Sequence, residues 1–235
     1  MHNLICIGIL LAFAFGCKAP KKQSVEEQLT DRMVEDNTII SPHTPKIKIE
    51  VADEFDYVGQ FDFEIIASSN EYPQDLQGMP VAAGERLVFV KADKDKNIEK
   101  LFVVQFEGFL ESNDFIYNYD FSNADFIADN KYRHNTWYYD NEVAIQENPL
   151  GESAKTDAFL KREGFQTEDH FMMSRFVGLA SEDRKNEIII FYIEMLKTST
   201  GYSLDEWENS VPEAEATGID SSFIARSRMS FRIVN

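Results

Sequence analysis

Two glutamates stand where that residue type is least at home. Glu107 closes the apolar run Leu101-Phe102-Val103-Val104-Gln105-Phe106, and Glu194 lies inside Ile188-Ile189-Ile190-Phe191-Tyr192-Ile193-Glu194-Met195-Leu196. A carboxylate in a strand buried on both faces needs a partner or a raised pKa. If both residues lined one cleft, unlike surroundings would divide acid and base roles between them, as in glycoside hydrolysis. The quieter reading makes Glu194 half of a structural ion pair with Arg175, which lies in Met172-Met173-Ser174-Arg175-Phe176-Val177. A connecting loop of even length places 175 and 194 on the same side of a sheet. His134, read as part of a loop before Trp137, is a third candidate for proton transfer.

The segment Glu111 to Asn130, ESNDFIYNYDFSNADFIADN, interleaves aromatic rings with carboxylates, and Trp137-Tyr138-Tyr139 follows. Flat apolar platforms beside charged oxygens are what a glycan groove uses. Tyr117, Tyr119, Trp137 and Tyr138 are therefore the ligand-binding candidates. The same alternation over Phe115 to Phe121 also describes a half-buried strand with Asp and Asn on its wet side. Asp93, Asp95 and Asn97 have the spacing of a calcium loop. The sixth position, Ile98, is not the glycine a sharp turn needs, and the twelfth, Val104, is not the bidentate glutamate, so a solvated hairpin turn is expected and no metal. No histidine pair has zinc spacing, no nucleophile elbow is present, and no glycine-rich phosphate loop occurs. No cofactor is expected.

The elements that must carry these residues read mostly as strands. Lys46 to Val51 alternates at period two as an edge strand, and Phe61 to Ala67 reads as another. Arg86 to Ala92 and Leu101 to Leu110 flank a turn at residues 93–97, and Phe171 to Leu179 pairs with Glu187 to Leu196 as a second hairpin. Ser153 to Glu163 has helical spacing with a Gly164 stop, one turn is expected after Ser203, and Asp220 or Ser221 is placed to cap a C-terminal helix. Hairpins outnumber helices. The fold class is therefore α+β, a predominantly antiparallel sheet with two or three short helices in a single domain from Lys46 to Asn235.

The chain has 41 acidic and 23 basic side chains for a net charge of −18, with 43% hydrophobic and 13% aromatic residues. That composition is globular, and the charge would repel a nucleic-acid backbone. Both cysteines fall within the first seventeen residues, leaving none for a disulfide framework.

Leu4 to Phe15 is an apolar run short of the roughly 20 residues a membrane-spanning helix needs. Ala14-Phe15-Gly16-Cys17 follows, and residues 1–17 resemble the signal peptide and lipobox of bacterial lipoproteins. The resemblance implies removal of residues 1–16, lipidation of Cys17 and membrane attachment through acyl chains. An ordinary cut after Ala12-Phe13-Ala14, releasing a soluble chain, is the alternative. Residues 17–45 read as a flexible tether, with weak helical spacing of Val25, Leu29 and Met33. Lys18 after the cysteine implies, by analogy with the family, an outer-membrane anchor facing the periplasm. These readings together make a cell-envelope lipoprotein acting as a binding or assembly module for an envelope protein or glycan, and lean away from an enzyme. The alternative is a glycan-directed binding protein or hydrolase with paired carboxylates in an aromatic cleft.

Overall fold

The structure is a computed structural model and describes residues 31–234, so the segment read as a signal peptide, Cys17 and the first part of the span read as tether lie outside the described residues. Strands β1 (Met33–Glu35), β2 (Thr38–Ser41), β3 (Ile47–Val51) and β4 (Asp56–Ile66) come first. The long hairpin β5 (Pro80–Ala92) and β6 (Ile98–Phe109) follows, then β7 (Asp125–Ile127) and β8 (Asn130–Asp140). Helices α1 (Asn141–Glu147) and α2 (Glu152–Arg162) lead to β9 (His170–Leu179) and β10 (Asn186–Met195). The chain ends with α3 (Leu196–Thr200), α4 (Leu204–Asn209), α5 (Glu213–Met229) and β11 (Phe231–Val234). Every named pairing is antiparallel, in a seven-stranded sheet ordered β4-β5-β6-β10-β9-β8-β7 and a four-stranded sheet ordered β1-β2-β3-β11. The α+β antiparallel reading is the observed class.

Both predicted hairpins form for local reasons. At residues 93–97, Asp93 Oδ1 accepts from the Asp95 and Asn97 amides at 2.8 and 2.9 Å, while Lys96 adopts φ 64°. The Asp93 carboxyl is held low by its bonds from Asn97, so these oxygens close a turn. In the second hairpin the Ala180 amide donates to Asn186 O at 2.8 Å, enclosing residues 181–185. That odd number sets Arg175 opposite Phe191 and Glu194 opposite Met172, which puts Arg175 and Glu194 on opposite faces. The predicted pair between them does not exist.

The two faces of the large sheet have different fates. One, here the covered face, packs Phe89, Phe102, Phe176 and Tyr192 against Ile39, Ile49 and Phe231 of the small sheet and Phe223 of α5. Burying a ring such as Phe102 contributes about 2–3 kcal/mol. The other, the open face, packs Val88, Leu101, Ile193 and Met195 against Phe159 and Leu160 of α2. The middle strands are thus apolar on both sides, which is why they read as continuous runs.

The structure corrects four boundaries. Residues 33–41 form β1 and β2, so the folded unit reaches into the span read as tether. Arg32 is buried with Glu85 at 2.6 Å, and its guanidinium lies 4.0 Å over Phe106. With β2 on one side and β11 on the other, β3 is an interior strand; the missed neighbour is the apolar tail Phe231 to Val234. Helix α5 starts at Glu213, well before Asp220. Residues 115–121, also read as a half-buried strand, are irregular and belong to no strand.

Candidate functional site

A cavity of about 350 Å³ opens on the uncovered part of the open face, beside the first turns of α2. Its floor is polar and its walls are aromatic and aliphatic. Glu107 on β6 and Glu187 on β10 are direct cross-strand partners, 7% and 2% exposed. Gly84 lies opposite Glu107 on β5, where a Cβ would come 2.8 Å from the Glu107 Cβ and 2.7 Å from the Phe63 ring, so only glycine leaves room.

The floor is a connected hydrogen-bond network. Tyr117 donates to Glu107 Oε1 at 2.8 Å, and Gln105 Nε2 bridges Glu107 Oε2 and Glu152 Oε1. Arg86 donates to Gln105 Oε1 at 2.5 Å, to Thr156 Oγ1 at 2.5 Å and to Glu152 Oε1 at 2.9 Å. Helix α2 thus supplies two of the acceptors that fix Arg86. Tyr117 is held by its ring stack on Phe109, centroids 4.5 Å apart, and by Arg184, whose Nε donates to Tyr117 O at 2.8 Å. The irregular 111–124 segment is therefore fixed in place by a residue of the β9–β10 turn.

Burial raises the pKa of Glu107, and the Glu152 charge adds to it. Burial and the neighbouring Glu107 likewise raise Glu187. Two opposed buried carboxyls do not both ionise, so the pair holds a proton. Burial and Glu107 push the Tyr117 hydroxyl up, which keeps it a donor. Two buried atoms in this lining have no hydrogen-bond partner, Glu187 Oε2 and Arg175 Nε, although Glu107, Tyr119 and Arg175 all lie near enough to shift Glu187.

Of the expected site residues, Glu107, Tyr117, Tyr119, Trp137 and Arg175 line this cavity. The others do not. Glu194 lies on the covered face, where Arg226 holds it with bonds of 2.7 and 2.8 Å and Tyr192 donates to it. Burial pushes Glu194 up, but Arg226 overcomes this and leaves its carboxyl below the ordinary range. Tyr138 also turns to the covered face, bonded to Asp220 and packed on Trp207, and its neighbour Tyr139 lines the cavity instead. Arg175 lines the cavity away from Glu194. Among the described residues no group of three or more His, Cys, Asp or Glu is arranged to hold a metal.

His134 is in strand β8, not a loop, and it belongs to a second suggestive cluster. Its Nδ1 is 3.5 Å from Asp125 Oδ2 and its Nε2 is 2.8 Å from Ser174 Oγ, an acid, imidazole and hydroxyl in sequence. Ser174, however, donates to Ser227 Oγ at 3.1 Å, and Ser227 donates to Ile224 O. With that hydroxyl proton directed away, His134 Nε2 must be the donor, the reverse of what a base needs. Ser174 is wholly buried, and the imidazole stacks on Phe176 at 4.2 Å. Burial, then the Arg228 charge, depresses the His134 pKa. The cluster is core.

Sequence reasoning missed Glu187, Glu152, Gln105 and Arg86. The available signal was register: once the β6–β10 pairing is known, Glu107 requires a cross-strand neighbour, and Glu187 is it. Comparison of the chain with protein-family models, with curated proteins and with solved structures finds no match.

Proposed function

We propose that this protein is a lipid-anchored cell-envelope binding module, and that the cavity on the open face is where it holds a small ligand. The observation that carries the reading is the pair of buried polar atoms, Glu187 Oε2 and Arg175 Nε, left without partners in a cavity walled by Trp137 and Tyr139. Buried polar groups are almost always satisfied, so an unmatched donor and acceptor in one concavity mark where a bound molecule completes the network. Glu85 Oε2 is also unpartnered, but it lies outside this cavity, so what distinguishes the Glu187 and Arg175 atoms is that a donor and an acceptor share one concavity.

A hydrolase fits less well. Glu107 and Glu194 are on opposite faces of the sheet, and Glu107 and Glu187 are direct cross-strand neighbours holding a proton between them. Glycosidase carboxyls stand about 5 Å or more apart to flank the sugar. The remaining carboxylate, Glu152, is tied to Arg86 and Gln105.

Labelled palmitate tests the anchor: the full chain takes up label and Cys17→Ala does not, whereas no label in the parent would remove the lipoprotein reading. For the cavity, an apolar fluorescent dye should be competed out of the full chain by extracts of envelope material. Substituting Trp137→Ala should weaken that competition about tenfold, the scale of a lost aromatic platform. Dye that never enters would overturn the binding reading.

A further inference from the structure

The chemistry of the cavity also narrows the class of ligand, an inference that rests on the binding reading above. Glu187 is 2% exposed with Oε2 unpartnered, and the buried Arg175 Nε has no acceptor. We propose that the cavity takes a neutral saccharide ring, whose hydroxyls accept from Arg175 Nε and donate to Glu187 Oε2 while its apolar face lies against Trp137 and Tyr139.

Groups of both signs face the cavity. The floor carries Glu107, Glu187 and Glu152 against Arg86 and Arg175, and Asp157 in the lining is neutralised by Lys161 at 2.7 Å. Burial raises the pKa of both Glu107 and Glu187, which lowers the negative charge that the floor sets against the two guanidiniums. An added ammonium would meet Arg175, and an added carboxylate would meet the glutamates, in a site where such repulsion is weakly screened. A purely apolar guest would seal both unmatched atoms away from water. Hydroxyls both donate and accept, so a sugar ring satisfies the two atoms without bringing charge, and its C–H face suits an aromatic wall. The volume, about 350 Å³, is that of a small-ligand pocket and not of a groove for a long polymer.

The test uses the full chain in detergent micelles with Trp207→Phe as background, which leaves Trp137 the sole tryptophan and places it in the cavity wall. Tryptophan emission is followed against neutral hexose and N-acetylhexosamine oligomers, a diamine, a short carboxylate, a simple amide and an apolar dye. The saccharides are expected to shift the emission saturably. Arg175→Met and Glu187→Leu should each weaken that response about tenfold, the scale of one lost charge-assisted hydrogen bond. If Glu187→Leu does not fold, Arg175→Met alone decides, since an undiminished response there overturns the proposal. Response to the diamine, carboxylate or amide but to no saccharide overturns the ligand class and leaves the binding reading standing. Silence toward every probe, dye included, overturns both.

Discussion

The two faces of the large sheet carry equally suggestive chemistry and treat it oppositely. On the covered face, Asp125, His134 and Ser174 stand in the order of a hydrolytic triad, yet every hydroxyl proton runs on to another acceptor and the serine is wholly buried. On the open face no familiar motif exists, yet a buried acceptor and a buried donor remain unmatched beside a cavity. Residue types in a plausible order do not make a site. Access and incomplete hydrogen bonding do, because a satisfied, sealed network has nothing left to offer a ligand.

The sharpest way to break this contrast is to truncate a ring on each side. Phe176→Ala, in the covered core, is expected to cost about 3–5 kcal/mol in urea unfolding, as large core truncations do. Trp137→Ala, at a half-buried position on the open face, should cost well under half of that while removing ligand response. Equal losses of stability would mean that the open face is core as well.

Next in size is the covered-face ion pair. Arg226→Met leaves Glu194, 1% exposed, without its guanidinium, and should destabilise by about 2 kcal/mol, below the full cost of breaking a wholly buried pair because Arg226 is partly exposed. The wild-type contribution is present above the ordinary carboxylate range and lost as pH falls through the depressed Glu194 pKa, so the variant should also be less sensitive to acid.

The open face should show the reverse sign. Glu107 and Glu187 titrate above the ordinary carboxylate value, so the folded chain binds more protons than the unfolded one as pH passes from that value upward. Stability should therefore fall as pH rises through this window, by on the order of 1–2 kcal/mol. Glu85, lifted by burial to about 7 against the pull of Arg32, adds a slope of the same sign. Glu187→Gln isolates the open-face share by flattening part of the slope, and thermal melts across the range measure it.

The smallest effect is the most discriminating. Ser174→Ala should change stability by about 1 kcal/mol, the worth of one buried hydrogen bond, and leave the saccharide response intact. Loss of that response would return attention to the covered face.

What the sequence disclosed follows the same division. The two long hairpins, the helix after Ser153 and the capped turn at Ser203 were legible because turn chemistry and period are local. Glu107, Tyr117, Tyr119 and Trp137 were legible as candidates because their types stand out against their neighbours. The pairing of Glu194 was not, because it depends on whether residues 181–185 make an odd or even turn, and on an arginine in a distant helix. Nor was Glu187, which looks like the polar start of a strand until β6 is laid beside it. The strands at 33–41 were hidden because they are held through β3, whose other edge is closed only by the final strand of the chain.

The most direct test of the central claim is the indole N–H spectrum of the 15N-labelled full chain, which has one tryptophan beside each face. Trp137 lines the cavity and Trp207 packs on Tyr138 behind the covered face. Titration with neutral saccharide oligomers is predicted to move the Trp137 signal and leave Trp207 in place. Movement of Trp207 alone would contradict the account, because the ligand would then be bound on the side of the sheet read here as sealed.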